Sequence, residues 1–283
     1  MKRIVFIVFA LMLLSKTSNS QYFANSPFRY YVSMGDTIQY IPQVNIKVIL
    51  SGCYKSSTSL MDDSLRRKGY LPNVSPYGDG KMVDVGVFSF SGSNDAIVDW
   101  VKVTLINSDT TVYLSALLQR DGDVVDMNGS SALYTNVPRG SYKVNIKHRN
   151  HLGIELKNSI YLNDSVPTLI DFTNVSTVLY NTQTIQPTRI IGGRRALYAG
   201  NCFTSTPRQF VTYNSQSNSD KIYLYKKLYV NNVHTPIVGY SVLDLDMNGT
   251  ATFISTNNIN DRMVIYVNVM GDINAIIKEQ TTF

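Results

Sequence analysis

The sequence predicts an all-β chain: a two-layer β-sandwich over residues 44–173, followed by a smaller tail. Three observations predict it. Short segments alternate apolar and polar residues, turn signals recur every 8–12 residues, and charge is sparse while Tyr, Val, Ser and Thr are abundant. With only 16% charged residues and 44% apolar ones, the chain is neither a coiled coil, a charged disordered tail nor a collagen-like fibre.

The elements follow in order. Residues 1–20 have the layout of a secretory signal peptide: Lys2 and Arg3, an unbroken apolar run from Ile4 to Leu14, then small polar residues up to Ser20. As a helix the apolar run would span roughly 16 Å, half of a ~30 Å bilayer core. Cleavage near Ser20 and Gln21 is therefore expected, and after it no second stretch is long and apolar enough to span a membrane. The expected address is outside the cell, at its surface or in a periplasm. Cleavage removes three cations and no acid, which lowers the net charge from +6 to about +3. The remaining basic pairs, such as Arg194-Arg195 and Lys226-Lys227, are scattered, so no nucleic-acid partner is expected.

A polar lead-in occupies 21–43. Strands are then expected at Val44–Leu50, Val83–Phe90, Ile97–Ile106, Thr111–Arg120, Ser141–Lys147, Ser159–Leu162 and Thr168–Phe172. Leu60–Lys68 reads as a helical turn, and Gly69–Asp84, which holds Pro72, Pro76, Gly78 and Gly80, as a loop. Asp121-Gly122 marks a tight hairpin before Val124-Val125. Residues 174–188 read as a linker, and 189–283 as a region with a weak internal repeat. Cys53 and Cys202 permit a disulfide in an exported protein, with two separate thiols as the alternative.

The second repeat copy carries Asp244-Leu245-Asp246-Met247-Asn248-Gly249-Thr250. Oxygen-bearing side chains at alternate positions surround one point, Gly249 supplies a sharp turn, and the Thr250 carbonyl adds a ligand, as a hard Ca²⁺ requires. Position 12, where an EF-hand has its bidentate Glu, is Ser255, which leaves Asp261 to close the site. The expected ligand set is Asp244, Asp246, Asn248, Thr250 and Asp261, for one Ca²⁺; an Asx-turn loop without metal is the alternative. In the first copy the matching positions are Asn201, Phe203 and Ser205, which cannot form such a site.

Several motifs follow one another along the chain. They are Met61-x3-Leu65-Arg66, Leu71-Pro72 with Pro76-Tyr77, Val98-Asp99-Trp100-Val101, Ala116 through Asp126, His148-Arg149-Asn150-His151-Leu152-Gly153, and Asn260-Asp261-Arg262. Together they resemble the C-terminal region of large secreted bacterial surface proteins of the hemagglutinin-like family, whose terminal repeats look like dockerin-type calcium loops. The resemblance implies a sandwich of immunoglobulin-like or prealbumin-like type with a dockerin-like tail, exported and non-catalytic. It places ligands at Asp244, Asp246, Asn248 and Asp261, and leaves Asn201 and Asp220 as the remains of the first set. The large N-terminal region typical of the family is not in this sequence, which reads as a free-standing remnant.

Other residues that carry chemistry have structural readings. His148 and His151 flank Arg149-Asn150 at a strand end, where residues three apart point to opposite faces, so a structural corner is expected. Asp121, Asp123 and Asp126 read as a hairpin rather than a second calcium loop or a glycosidase acid pair, and Trp100 as core. No nucleophile elbow, zinc-helix or phosphate-loop motif occurs. The expected function is a binding, adhesion or assembly module for a cell-surface protein or glycan. The alternative is an accessory or degenerate polysaccharide hydrolase.

Overall fold

The structure is a computed structural model that describes residues 30–32, 38–91, 93–129, 132–163, 165–182, 186–202, 210–211, 227–231 and 233–253, with Asp261, Val264 and 277–278. The expected signal segment, Asp220, Phe203, Ser205 and Ser255 lie outside these residues. Among the described residues no helix is long and apolar enough to cross a membrane.

The fold is all-β, organised around one sheet of nine strands. In chain order they are β1 (Gln43–Lys47), β2 (Ile97–Ile106), β3 (Thr111–Gln119), β4 (Asp123–Val125), β5 (Leu133–Tyr134), β6 (Gly140–His148), β7 (His151–Glu155), β8 (Ile160–Leu162) and β9 (Thr168–Asp171). The hydrogen-bonded path runs β7-β6-β2-β3-β4-β1-β9, with β8 on β6 and β5 on β1. Every pairing is antiparallel except β1 with β9.

β2 is the spine. Val101, Val103 and Leu105 lie opposite Ala116, Leu114 and Val112 of β3, and Val103 and Leu105 also face Ile146 and Val144 of β6. All but the half-buried Val112 are buried, so this layer excludes water across three strands. Trp100 is fully buried too, because the loop after the helical turn Ser64–Arg67 covers it. The Trp100 indole N–H donates to the Pro72 carbonyl at 2.9 Å, and the Tyr77 hydroxyl donates to the Trp100 carbonyl at 3.1 Å. A large aromatic with its polar handle satisfied is ordinary core material. Such double-sided burial is why β2 reads as a nearly continuous apolar run.

The strand expected over Val83–Phe90 is not formed. Gly86 adopts φ +89°, and the Val87 and Ser89 N–H groups bond to Asp84 and Gly86 within a 3₁₀ turn over Val87–Ser89. Those backbone groups are spent locally and leave nothing for a ladder. Val85 is left fully exposed.

The stretch 174–182 lies along β7: the Tyr180 N–H bonds to the Glu155 carbonyl at 2.9 Å, and Lys157 N–H to Val178 at 3.0 Å. A hairpin, β10 (Thr188–Ile191) and β11 (Arg194–Leu197), then adds Ala196 and Leu197 to the main core. Cys53 belongs to that core and Cys202 to a smaller cluster with Leu228 and Leu245; both are buried, and they are not joined in a disulfide.

The β3–β4 turn depends on a glycine. Gly122 has φ +100°, and a Cβ there would sit 2.9 Å from the Val48 carbonyl oxygen, which is fixed backbone. Gly122→Ala should therefore destabilise the fold by about 1–3 kcal/mol, read as a lower urea midpoint with unchanged slope.

Candidate functional site

The site starts at the β6–β7 hairpin. Arg149 and Asn150 form a two-residue turn, so His148 and His151 are cross-strand partners. This corrects the expectation that the two imidazoles point to opposite faces: a turn between them resets the alternation that a continuous strand would impose. Their Nδ1 atoms are 3.0 Å apart, and both residues are buried.

The protonation pattern follows from the neighbours. The Gly52 N–H donates to His151 Nε2 at 3.2 Å, which makes that nitrogen the acceptor and puts the His151 proton on Nδ1. That proton faces the Asn150 amide oxygen at 2.8 Å and His148 Nδ1. His148 accordingly holds its own proton on Nε2, 3.1 Å from Asp99 Oδ2. Both rings are neutral. Burial drives the His148 imidazole below its usual range, against the pull of Asp99, and drives His151 lower still, with His148 and Arg149 adding to the effect.

Asp99, on β2, anchors the cluster. Its carboxylate accepts from His148, from Arg149 Nε at 2.9 Å and from the Tyr240 hydroxyl at 2.8 Å. Burial alone would raise this carboxyl; the Arg149 charge and the His148 hydrogen bond overcome it and hold it at about 2. The Arg149 guanidinium lies 4.4 Å from the Tyr240 ring centroid and also donates to the Ser241 carbonyl. Tyr240 and Ser241 belong to the tail, so this buried ion pair ties the tail to the sheet.

Asn150 completes the tie and is fully buried. Its backbone carbonyl accepts from the N–H groups of Gly200 and Asn201 at 3.1 and 3.0 Å, and its side-chain amide donates to the Asp244 carbonyl at 2.6 Å. One residue thus holds the start of both repeat copies. Asn201 is itself buried here, as backbone framework.

Residues 244–250 form a loop whose carboxylates point inward. Asp244 accepts from the N–H groups of Asn248 at 3.0 Å and Gly249 at 2.8 Å; Asp246 accepts from the Asn248 N–H and side-chain amide at 3.1 and 2.8 Å. Asp261 comes from beyond the loop to accept from Leu245, from Asp246 at 3.3 Å and from Thr252 at 2.6 Å. Carboxylate oxygens of Asp244, Asp246 and Asp261 all lie within 4.8 Å of one another. Asn248 and Thr250 are joined to them by hydrogen bonds: Asn248 through Asp246, and the Thr250 N–H through the Asn248 amide oxygen at 2.9 Å. Thr250 opens a short strand opposite Val238. Gly249, at φ +89°, leaves room for the Tyr70 ring, and Lys68 donates to the Asn248 carbonyl at 2.6 Å.

The donor set suits a hard cation. Two oxygens bound to Ca²⁺ at 2.3–2.6 Å can be no more than about 5 Å apart, which the three carboxylates satisfy together. Without such an ion the loop is electrostatically costly. Burial, with repulsion from neighbouring carboxylates, raises Asp244 to about 7 and Asp261 to about 8, and burial raises Asp246.

The remaining candidates have structural roles. Asp121 and Gly122 make the hairpin turn, with the Asp123 N–H bonded to Asp121 at 3.2 Å; Asp123 pairs with Lys47 at 2.7 Å, and Asp126 accepts from Met127 N–H at 2.8 Å. His234 accepts the Phe253 N–H at 3.0 Å. The roles of Asp99, Arg149, Asn150 and Tyr240 were not readable from sequence, although the unusual run of four polar residues at 148–151 was a signal.

No protein-family profile matches the chain, and no curated protein matches it. Among solved structures it is similar to a chain of a type II cohesin–X-dockerin complex from Acetivibrio cellulolyticus, a C-terminal interface mutant. The identity is 15% and the TM-score 0.32, over 80% of this chain and 94% of that one. A score that low does not equate the two folds.

Two outcomes are expected. Asp99→Asn leaves the Arg149 charge buried without its partner and should cost about 3–5 kcal/mol in chemical denaturation. Because Asp99 titrates lower folded than unfolded, its contribution is present above about pH 4 and lost as pH falls toward about 2, so the variant should also flatten that acid limb. Gly52→Ala would place a Cβ 2.1 Å from the Leu245 carbonyl oxygen. It should push the aspartate loop off the sheet, seen as faster proteolysis within 240–253 while the near-UV signal of Trp100 persists.

Proposed function

We propose that the protein is an exported, non-catalytic binding or assembly module that presents its sheet-built surface to a cell-surface protein or glycan. In this reading the body is a sandwich of immunoglobulin-like or prealbumin-like type, and the tail is a dockerin-like element with one working calcium loop. Asp244, Asp246, Asn248, the Thr250 carbonyl and Asp261 hold the ion. The resemblance to the C-terminal region of hemagglutinin-like surface proteins is part of the same proposal.

One observation carries it. Of the groups best able to do chemistry, Asp99, His148 and His151 are buried and the Arg149 side chain nearly so, and they are bonded to one another and to backbone. A substrate would have to displace the tail to reach them. Their work is to hold the tail, and what remains for function is the surface. Calcium supports that role: it offsets most of the charge of three clustered carboxylates, two buried and one half-buried, and makes the tail a fixed part of the surface.

Added Ca²⁺ should raise the melting temperature, by an amount that reflects about 2.7 kcal/mol at a hundredfold excess over Kd. Asp246→Ala should abolish the gain. Asp244 and Asp261 titrate higher folded than unfolded, so the calcium-free protein is stabilised by their protons below about pH 4 and loses that stabilisation as pH rises through 7 to 8. The calcium increment should therefore grow across that window. A melting curve indifferent to both Ca²⁺ and EDTA at pH 8 counts against the loop. For the module itself, purified protein should bind whole cells in a calcium-dependent way and release no new reducing ends from polysaccharide. Steady release of reducing ends would overturn it.

A further inference from the structure

On a part of the surface built by other elements, a cavity of about 630 Å³ opens between the segment before β2 and the β3–β4 hairpin. Its size lies within the ~300–1,000 Å³ usual for small-molecule sites. Val85, Phe90, Asp95, Gln119, Asp123 and Asn128 are among the residues that line it.

Gln119 is the informative one. The residue is only 6% exposed, and its backbone is spent in the sheet, paired with Ile97 and accepting the Gly122 N–H. No hydrogen bond is made by its side-chain amide to a described residue, and the residue lines the cavity. An amide left unspent at a cavity wall has both its donors and its acceptor available to a molecule in the cavity. The Asp95 carboxylate also has no ion-pair partner among the described residues, whereas Asp123 is held by Lys47.

The wall chemistry narrows the ligand. Among the described residues the lining has acids and no Lys, Arg or His, which disfavours anions. A carboxylate accepts only, and an amide both donates and accepts, so the matching groups are hydroxyls. Phe90, half exposed, and Val85, wholly exposed, add an apolar side. A pyranose offers both halves, with hydroxyls around its rim and a C–H face. A second cavity, of about 230 Å³, at Tyr77, Lys102 and Tyr113 lacks such unspent groups: Ser115 is bonded to Ser75 at 2.6 Å, and Lys102 sits over both tyrosine rings.

We infer that this cavity binds a unit of a neutral carbohydrate, whose hydroxyls bond to Gln119 and Asp95 while its C–H face rests on Phe90. The inference names a partner for the binding module proposed above and rests on that reading.

Isothermal titration of the purified full-length protein tests it. The probes are neutral hexasaccharides of glucose, xylose and mannose, an oligogalacturonate and a hexalysine peptide. At least one neutral hexasaccharide should bind. Phe90→Ala and Gln119→Leu should each weaken that binding about tenfold or more with the melting temperature unchanged, and Phe90→Ala, at a half-exposed position, is the variant that spares the fold. Absence of binding to all three neutral sugars at millimolar concentration overturns the inference. So does binding that both variants retain, equal binding of the oligogalacturonate, or binding of hexalysine alone. If whole-cell binding persists without any of the sugars, the carbohydrate assignment falls and the module stands. If the sugars are cleaved, the module reading falls as well.

Discussion

The interaction on which this structure depends is the buried pairing of Asp99 with Arg149, two charges removed from water and held 2.9 Å apart. A buried pair is not in itself a large source of stability, since desolvation offsets much of the attraction. Its consequence is specificity. Once Asp99 is ionised inside the sheet, it gathers donors around it: His148 through Nε2, Arg149 through Nε, Trp100 through its backbone N–H, and Tyr240 through its hydroxyl. Tyr240 is the only one of these from the tail, so the docking of the tail helps to complete the shell of a charge near the start of β2.

Asn150 extends the same logic to the aspartate loop. By holding the Asp244 carbonyl it fixes where the Asp244 carboxylate points, and by holding Gly200 and Asn201 it aligns the chain before the loop. The sheet corner and the loop are thus a single polar structure, continuous from Gly52 through the two imidazoles to Asp261. This continuity explains why the loop keeps its carboxylates turned inward rather than splaying them into solvent. It also gives a bound cation a mechanical meaning: it would brace the corner as well as the loop.

Much of the fold was legible because strands write themselves as alternation. Ser141–Lys147 puts Tyr142, Val144 and Ile146 on one face, and all three are buried in β6. The Asp121-Gly122 turn was equally clear, since few dipeptides tolerate such a backbone. Val83–Phe90 misled because its alternation is real while Gly86 bends the backbone away from a ladder. β7 was missed because His151-Leu152-Gly153-Ile154-Glu155 is buried on both faces and shows no alternation. Of the expected ligands, the structure gathers Asp244, Asp246 and Asp261, the last of which sequence spacing alone could only nominate. The corner itself stayed hidden because its members come from Asp99, 148–151 and Tyr240, and nothing local announces a contact across 141 residues.

The central claim is that loop and corner are one coupled unit, and amide hydrogen exchange with and without Ca²⁺ tests it most directly. The coupling predicts that calcium slows exchange at Asn248 and Gly249 in the loop and also at Gly52, Gly200 and Asn201, whose amides bond to His151 and Asn150. Slowing confined to the loop, with those three amides unchanged, would contradict it.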